Sequence, residues 1–435
     1  MKVVLLAGGI SSRIWPLTLD KNLWPFFQGN LLTHNLKTLQ EVGLTEIILV
    51  INPSSVEEAK KTIQHLNFPV EIVIQEKANG IGQALLLAEE KIAKSSLLVL
   101  NCDDIVGTDL LKEIITRAQE KKTDLILAGK KVKNYFDGGY FKLEGSGATG
   151  MVEKPGEGNQ PSDLVKLVVD YYQDSTLLLN ALREVKTEKD DHYETALDRL
   201  MKEVTNQVIS YEGSWLTIKY PWHLLDMMAF FFKDLKESQI SERADISPRA
   251  VIEGPVVIES GVKIFENAKI KGPAYLGKNV VVANNSLVRE SYIGDGTVVG
   301  FASEVARSYL GKDCWTHNNF VGDSVLQGNV SFGVGTVLTN LKLDDSEIYS
   351  VVKGNKINTG KVKFGSVIGE NVRVGSNCSV MPGVKIGHDS FIGAGVVVKE
   401  DLEAGQFLYL SQQQIVKTNN KAGKSKSRAD FKGKL

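Results

Sequence analysis

From Ile246 onward the chain sets an aliphatic residue at every sixth position, and this rhythm limits the fold more than anything else in the sequence. Ile246, Ile252, Ile258, Ile264, Ile270, Leu276, Val282 and Val288 follow one another at unbroken six-residue spacing. After a one-residue slip the rhythm resumes at Ile293, Val299 and Val305, and again at Ile368, Val374, Val380, Ile386 and Ile392. A helix repeats every 3.6 residues and a strand every 2, so neither explains the period. A solenoid of triangular coils does, with one inward aliphatic side chain per face. Such a solenoid is expected over 241–415.

Residues 1–240 follow a different pattern. The strand-like runs KVVLLAG, EIILVIN, VEIVIQ, SLLVLNCDD and DLILAGKKV are separated by helix-like segments such as 32–42 and 56–66. That alternation predicts an α/β domain with a mainly parallel sheet flanked by helices. Ligands of such sheets sit beyond the C-terminal ends of strands, where Gly8 and Asp103 both fall. Residues 416–435 are basic, polar and almost free of large apolar side chains, the composition of a disordered tail.

With 435 residues, two or three domains are expected. Lys and Arg total 51 against 52 Asp and Glu, a net charge of −1, which supplies no electrostatic pull toward nucleic acid or an acidic membrane. No apolar stretch approaches the roughly 20 residues of a membrane span. Cys102, Cys314 and Cys378 are odd in number and far apart, so they suggest neither a disulfide framework nor a Cys-x-x-Cys metal site, and a reducing cytoplasm is expected.

Three short stretches carry possible chemistry. LAGGISSR (6–13) puts Gly8 and Gly9 directly after the first strand, where backbone N–H groups approach a phosphate chain and Arg13 and Lys21 add charge; the same glycines also suit a plain tight turn. NCDD (101–104) ends a buried-type strand in carboxylates suited to Mg2+ or to capping a helix. EKP (153–155) suits either a sugar phosphate or an exposed charged turn.

Together these stretches resemble the sugar-1-phosphate nucleotidylyltransferase family, whose motif LAGGxGTRxxPLT…KPxxP appears here as LAGGISSRIWPLT (6–18) and KNLWP (21–25). With the repeats, the chain is similar to the bifunctional N-acetylglucosamine-1-phosphate uridylyltransferase/glucosamine-1-phosphate acetyltransferase type. The resemblance implies a Rossmann-like nucleotidyltransferase domain, then a left-handed parallel β-helix of hexapeptide repeats that trimerises. It implies transfer of a nucleotidyl group from a nucleoside triphosphate, UTP or dTTP, to a sugar 1-phosphate. Leu6, Ala7, Gly8, Gly9, Gln75 and Gly80 would then bind the nucleotide, Arg13 and Lys21 would neutralise its phosphates, Asp103 would bind Mg2+, and Glu153 and Lys154 would face the sugar phosphate. In the repeats, HNNFVGD (317–323) and SFGVGTVLTN (331–340) resemble an acetyltransferase motif. They imply His317 as the base, acetyl-CoA as co-substrate, and Arg289, Asn340 and Lys361 at the sugar phosphate.

The departures from these motifs also fall at functional positions. Ser11 replaces a loop glycine, Asn22 a proline, Phe141 a glycine of a Tyr-Gly pair, and Val169 the glycine of Gly-x-Tyr. The last two, bulky side chains in place of glycines, are expected to narrow or reshape the sugar pocket. In WLTIKYPW (215–222), Thr217 stands where the family has a second metal-binding aspartate and Lys219 where it has glycine. In the repeats, Ala306, Phe320 and Ser331 replace a lysine, a tyrosine and an asparagine. Three functions follow: a nucleotidyltransferase with or without acetyl transfer, an acetyltransferase whose first domain has lapsed, or a non-catalytic regulatory scaffold.

Overall fold

The computed structural model describes residues 1–187, 191–420 and 432–433. The expectation of a disordered tail therefore lies, from 421 on, outside the described residues apart from 432 and 433. The N-terminal apolar runs become β1 (Lys2–Ala7), β2 (Ile47–Ile51), β3 (Val70–Ile74) and β4 (Leu97–Asn101). After these come β5 (Asp104–Ile105), β6 (Leu125–Lys131), the hairpin β7 (Gly139–Glu144) and β8 (Gly147–Glu153), β9 (Leu164–Tyr172), β10 (Asn206–Ser210) and β11 (Leu216–Thr217). The helices are α1 (Leu31–Glu41), α2 (Val56–Ile63), α3 (Gly80–Leu87), α4 (Glu89–Ile92), α5 (Thr108–Gln119), α6 (Ser175–Glu184), α7 (His192–Glu203) and α8 (His223–Phe232).

The main sheet runs β10-β6-β9-β4-β1-β2-β3, parallel throughout except for β9, which lies antiparallel between β6 and β4. Because helices cover both faces, β1 is apolar at successive positions: Val3 and Leu5 enter one core, Val4 and Leu6 the other. Leu6 pairs with Asn101, so the chain leaves β1 and β4 side by side. The Gly8 loop and Asp103 thus emerge at one edge of the sheet.

The six-residue rhythm becomes three parallel sheets around one aliphatic core. Ile246 stacks on Ile264, Ile252 on Ile270 and Ile258 on Leu276, each pair three hexads apart. Shorter coils absorb the slips, as where Leu276 stacks on Ile293. Between Leu338 and Ile368 the rhythm is interrupted because the chain leaves the coil; this excursion contains an antiparallel hairpin, Tyr349–Val352 with Asn355–Asn358. Leu326 nevertheless stacks directly on Ile368, which resumes the ladder.

A further apolar core joins the two halves. Trp24, Phe26, Trp222 and Phe231 from the first half pack with Tyr292, Tyr309, Val325 and Phe364 of the β-helix. Tyr275, Tyr292 and Tyr309 stack along one helix face, with centroids 4.7 and 4.5 Å apart, and the Tyr309 hydroxyl donates to the Pro25 carbonyl at 2.8 Å. The N-terminal loop also touches the coils. The Thr18 N–H donates to Gln327 Oε1 at 2.9 Å, and Lys385 Nζ lies 5.4 Å from the Trp15 ring centroid. A Cβ on Gly369 would come within 3.0 Å of the Pro16 carbonyl oxygen.

Tyr309 is fully buried at the centre of this junction. Tyr309→Ala is therefore expected to cost about 3 kcal/mol or more in urea unfolding, and Tyr309→Phe, which loses only the hydroxyl bond, about 1 kcal/mol. Equal small losses for both would contradict the packing role.

Candidate functional site

The first loop is anchored by Asp20. Its Oδ2 accepts from Asn52 Nδ2 at 2.9 Å and Ser55 Oγ at 2.7 Å, and its Oδ1 accepts from the Asn22 N–H at 2.8 Å and Asn22 Nδ2 at 3.0 Å. Asn22, in place of proline, therefore supplies two donors that proline lacks. Asn52 Nδ2 also donates to the Gly9 carbonyl at 3.3 Å. Gly8 lies against Gln75, where a Cβ would fall 2.0 Å from Oε1, and Gln75 Nε2 donates to the Gly80 carbonyl at 3.1 Å. Leu6 and Ala7 end β1 and Gly80 opens α3, so Gln75, touching Gly8 and bonded to Gly80, links the two elements. Ser11 adopts φ +52°, the left-handed conformation that the family's glycine takes without strain, and its buried Oγ has no hydrogen-bond partner.

Lys21 reaches across from this loop to the Asp103 carboxylate and also donates to the Ile218 carbonyl at 3.3 Å. Thr217 pairs with Asp104 across the short β5–β11 ladder, and its hydroxyl hydrogen-bonds that carboxylate. Trp215 Nε1 donates to Asp104 Oδ1 at 3.3 Å. Burial, and then the neighbouring Asp103 charge, push the Asp104 carboxyl up to about 7. Among the described residues, no group of three His, Cys, Asp or Glu side chains is placed to enclose a metal. One reachable carboxylate is still compatible with Mg2+, which commonly takes one or two protein carboxylates and fills its shell with phosphate oxygens and water.

Glu153 and Lys154, expected at the sugar phosphate, form an ion pair at 2.9 Å. Burial opposes the Lys154 charge, but the bond from Glu153 holds its pKa above the usual value. Lys154 itself sits at φ +46° and donates its N–H to the Gly138 carbonyl at 3.1 Å. Arg13 is exposed, and its charge acts on Lys154 and Lys219. The expected narrowing of the pocket by Phe141 and Val169 is not found. Both side chains are fully buried in the cores, Phe141 beside Gly129, whose missing Cβ leaves room for the ring.

Sequence reasoning missed two polar arrangements here. Lys166 and Asp170 form a fully buried ion pair at 2.6 Å, joined by the Tyr193 hydroxyl, which donates to Asp170 at 2.5 Å. His223 fixes the strand that carries Thr217: its Nδ1 accepts from the Lys219 N–H at 3.2 Å, and the ring also hydrogen-bonds the Thr217 backbone. Lone tyrosines and histidines within apolar runs gave no signal of either.

In the β-helix, His317 is exposed at a coil corner, 6.0 Å from the Trp315 ring. Arg289 pairs with Glu304 at 2.7 Å. Asn340 Nδ2 donates to Asp323, which also accepts two bonds from Arg307, so a cation stands beside the position where Ala306 lacks one. Lys361 turns toward α8 and pairs with Asp226. The structure thus brings Asn340 and Arg307 together, while Lys361 is engaged by the first domain.

Residues 2–228 match the family model described as nucleotidyl transferase, and residues 365–400 match the bacterial transferase hexapeptide model of six repeats. The chain belongs to the nucleotidyl transferase family. It is similar at 30% identity to the bifunctional protein GlmU of Methanococcus vannielii, over 97% of this chain and 100% of that one. A bifunctional sugar-1-phosphate nucleotidylyltransferase/acetyltransferase of Sulfurisphaera tokodaii is 29% identical over 94% and 99%. GlmU of Methanocaldococcus jannaschii is 28% identical over 95% and 99%. The two matched regions follow one another along the chain as a nucleotidyltransferase domain and a left-handed β-helix.

Burial lowers the His223 pKa to about 4, with Asp226 opposing. Unfolded, the imidazole protonates near 6.5, so between these values the unfolded chain binds more protons and stability falls as pH drops from about 6.5 to 4. The loss amounts to as much as about 3 kcal/mol. His223→Gln should flatten this limb of stability against pH; an unchanged limb would show that His223 does not carry it.

Proposed function

We propose that the chain transfers a nucleotidyl group from UTP or dTTP to a sugar 1-phosphate, releasing pyrophosphate. The observation that carries this is the meeting of Lys21 and Asp103 at one sheet edge, beside the Gly8–Gln75 contact, with Arg13 of the same loop near enough for its charge to act on Lys154. The sugar-phosphate oxygen attacks the α-phosphorus as the bond to pyrophosphate breaks. No group of this chain needs to become covalently modified, so positioning and charge neutralisation carry the rate. In this reading backbone N–H groups of the loop hold the triphosphate, and Gln75 with Gly80 faces the base. Arg13 and Lys21 neutralise the charge developing on the α-phosphate and the leaving group. When bound at Asp103, Mg2+ neutralises the triphosphate further. Lys21 then passes from Asp103 toward the phosphates.

The second activity we propose is acetyl transfer from acetyl-CoA to a sugar-phosphate amine, with His317 as base. What supports it is the full-length similarity to chains named for both activities. Arg289, Asn340 and Lys361 are assigned to the acceptor phosphate. Lys361 must leave Asp226 to serve there. A homotrimer through the β-helix fits the exposed Trp315, Phe391 and Phe407 on its coils. Free, buried Cys102, Cys314 and Cys378 suit a reducing cytoplasm. Among the described residues, no helix is long and apolar enough to cross a membrane.

Pyrophosphate release with Mg2+, across nucleoside triphosphates and sugar 1-phosphates, tests the first activity. Turnover with one pair is expected, falling about a hundredfold or more in Asp103→Asn. Silence across the panel in a folded protein would favour a lapsed first domain, with Thr217 at the metal position as its cause. For the second activity, His317→Ala is expected to lose about a hundredfold or more of acetyl transfer to a glucosamine 1-phosphate acceptor; full retention would remove His317 as base.

A further inference from the structure

We propose that Lys219 is a phosphate-binding residue for the sugar 1-phosphate, held by Asp137 until the substrate's phosphate displaces that carboxylate. The inference rests on the nucleotidyl-transfer reading above and extends its sugar-phosphate site beyond Glu153 and Lys154.

Four observations converge on Lys219. First, its side chain is only 10% exposed, yet its carboxylate partner Asp137 is 43% exposed, with Nζ to Oδ2 at 3.0 Å. An exposed, well-hydrated carboxylate is a weak partner for a largely buried ammonium. Second, Lys219 and Lys154 are attached to one turn. Nζ of Lys219 bonds the side chain and carbonyl of Asp137, and the N–H of Lys154 bonds the carbonyl of the next residue, Gly138, at 3.1 Å.

Third, a run of contacts joins Lys219 to Asp104, the residue next to the proposed metal ligand Asp103. Lys219 Nζ lies 4.6 Å from the Phe136 centroid; Phe136 meets Trp215 edge-on at 4.9 Å, and Trp215 bonds Asp104. Fourth, positive charge accumulates. Burial pushes the Lys219 ammonium toward its neutral form, Arg13 and Lys154 push the same way, and Asp137 opposes. Thr217, two positions earlier, brings no negative charge to relieve this. Arg13, Lys154 and Lys219 thus outnumber the two carboxylates that pair with them, Glu153 and Asp137, and a phosphate dianion balances the excess through charge-assisted bonds. Asp137 then keeps Lys219 oriented before substrate arrives. His223, bonded to the Lys219 N–H, fixes the backbone from which it reaches.

The test uses the full chain, UTP or dTTP with Mg2+, and glucose 1-phosphate or N-acetylglucosamine 1-phosphate, read by pyrophosphate release and by calorimetric binding of each sugar phosphate. Lys219→Ala should raise KM and Kd for the sugar 1-phosphate about tenfold, and move KM for the triphosphate far less. Lys219→Arg should recover most of the loss. Asp137→Asn separates the proposal from a structural staple: freeing Lys219 should lower the sugar-phosphate Kd or leave it unchanged. If Asp137→Asn weakens binding as much as Lys219→Ala, or if Lys219→Ala binds like wild type, the proposal is overturned. If Lys219→Ala misfolds, Lys219→Gln and Lys219→Arg decide by the same constants. A wild type that binds the sugar phosphate without turnover overturns the nucleotidyl-transfer reading alone, and one that binds no sugar phosphate overturns both.

Discussion

The packing of Trp24, Phe26, Trp222 and Phe231 on the stacked tyrosines of the β-helix is the contact on which the arrangement depends. Large aromatic faces exclude water there, and the Tyr309 hydroxyl at its centre is satisfied across the junction, while the buried indole N–H of Trp24 has no hydrogen-bond partner. Because α8 belongs to this core, the preceding segment with Thr217 and Lys219 is fixed relative to the coils. Because Trp24 and Phe26 also belong to it, the short 3-10 turn that carries Lys21 is fixed as well. The β-helix is thus part of the frame that holds the nucleotide loop, and Thr18, Pro16 and Trp15 each touch a different coil.

Electrostatics then shape what this frame presents. Asp20 is fully engaged by neutral donors and serves the loop, which leaves Lys21 to bridge to Asp103. Asp104, buried one residue on and drawn into bonds with Trp215 and Thr217, takes a structural part, while Asp103 remains reachable. In the family's motif a second carboxylate stands at 217; here a hydroxyl does, and its partner is Asp104. Negative charge is reduced at that point as positive charge increases at Lys219. The two departures therefore act in the same direction, toward a site that meets phosphate with the chain's own cations.

Most of the fold could be read from periodicity, because each inward aliphatic residue of a coil has no alternative place to go. Even the slips at Ile293 and the gap after Leu338 correspond to shortened coils and to an excursion carrying a hairpin. The loop and Asp103 were legible because strand ends in a parallel sheet meet at one edge. What could not be read was the direction of side chains. Phe141 and Val169, placed in the pocket by motif position, lie in the cores, because successive positions here are buried on both faces of the sheet, as Tyr140 beside Phe141 and Asp170 beside Val169 show. Lys361, assigned by resemblance to the sugar phosphate, is paired with Asp226, far away along the chain, as long-range ion pairs leave no local pattern. The Lys166–Asp170 pair, only four residues apart, was hidden for a different reason: its bulged strand brings the two together, and the register shift is a property of the paired strands.

The central claim is that the loop from Leu6 to Lys21 receives the nucleotide. Amide hydrogen exchange of the full chain, with and without UTP and Mg2+, measures this directly. The account predicts slower exchange over Leu6–Arg13 and around Gln75–Gly80, with the His317 corner unchanged. Protection confined to the β-helix, or none near the first loop at saturating nucleotide, would contradict it.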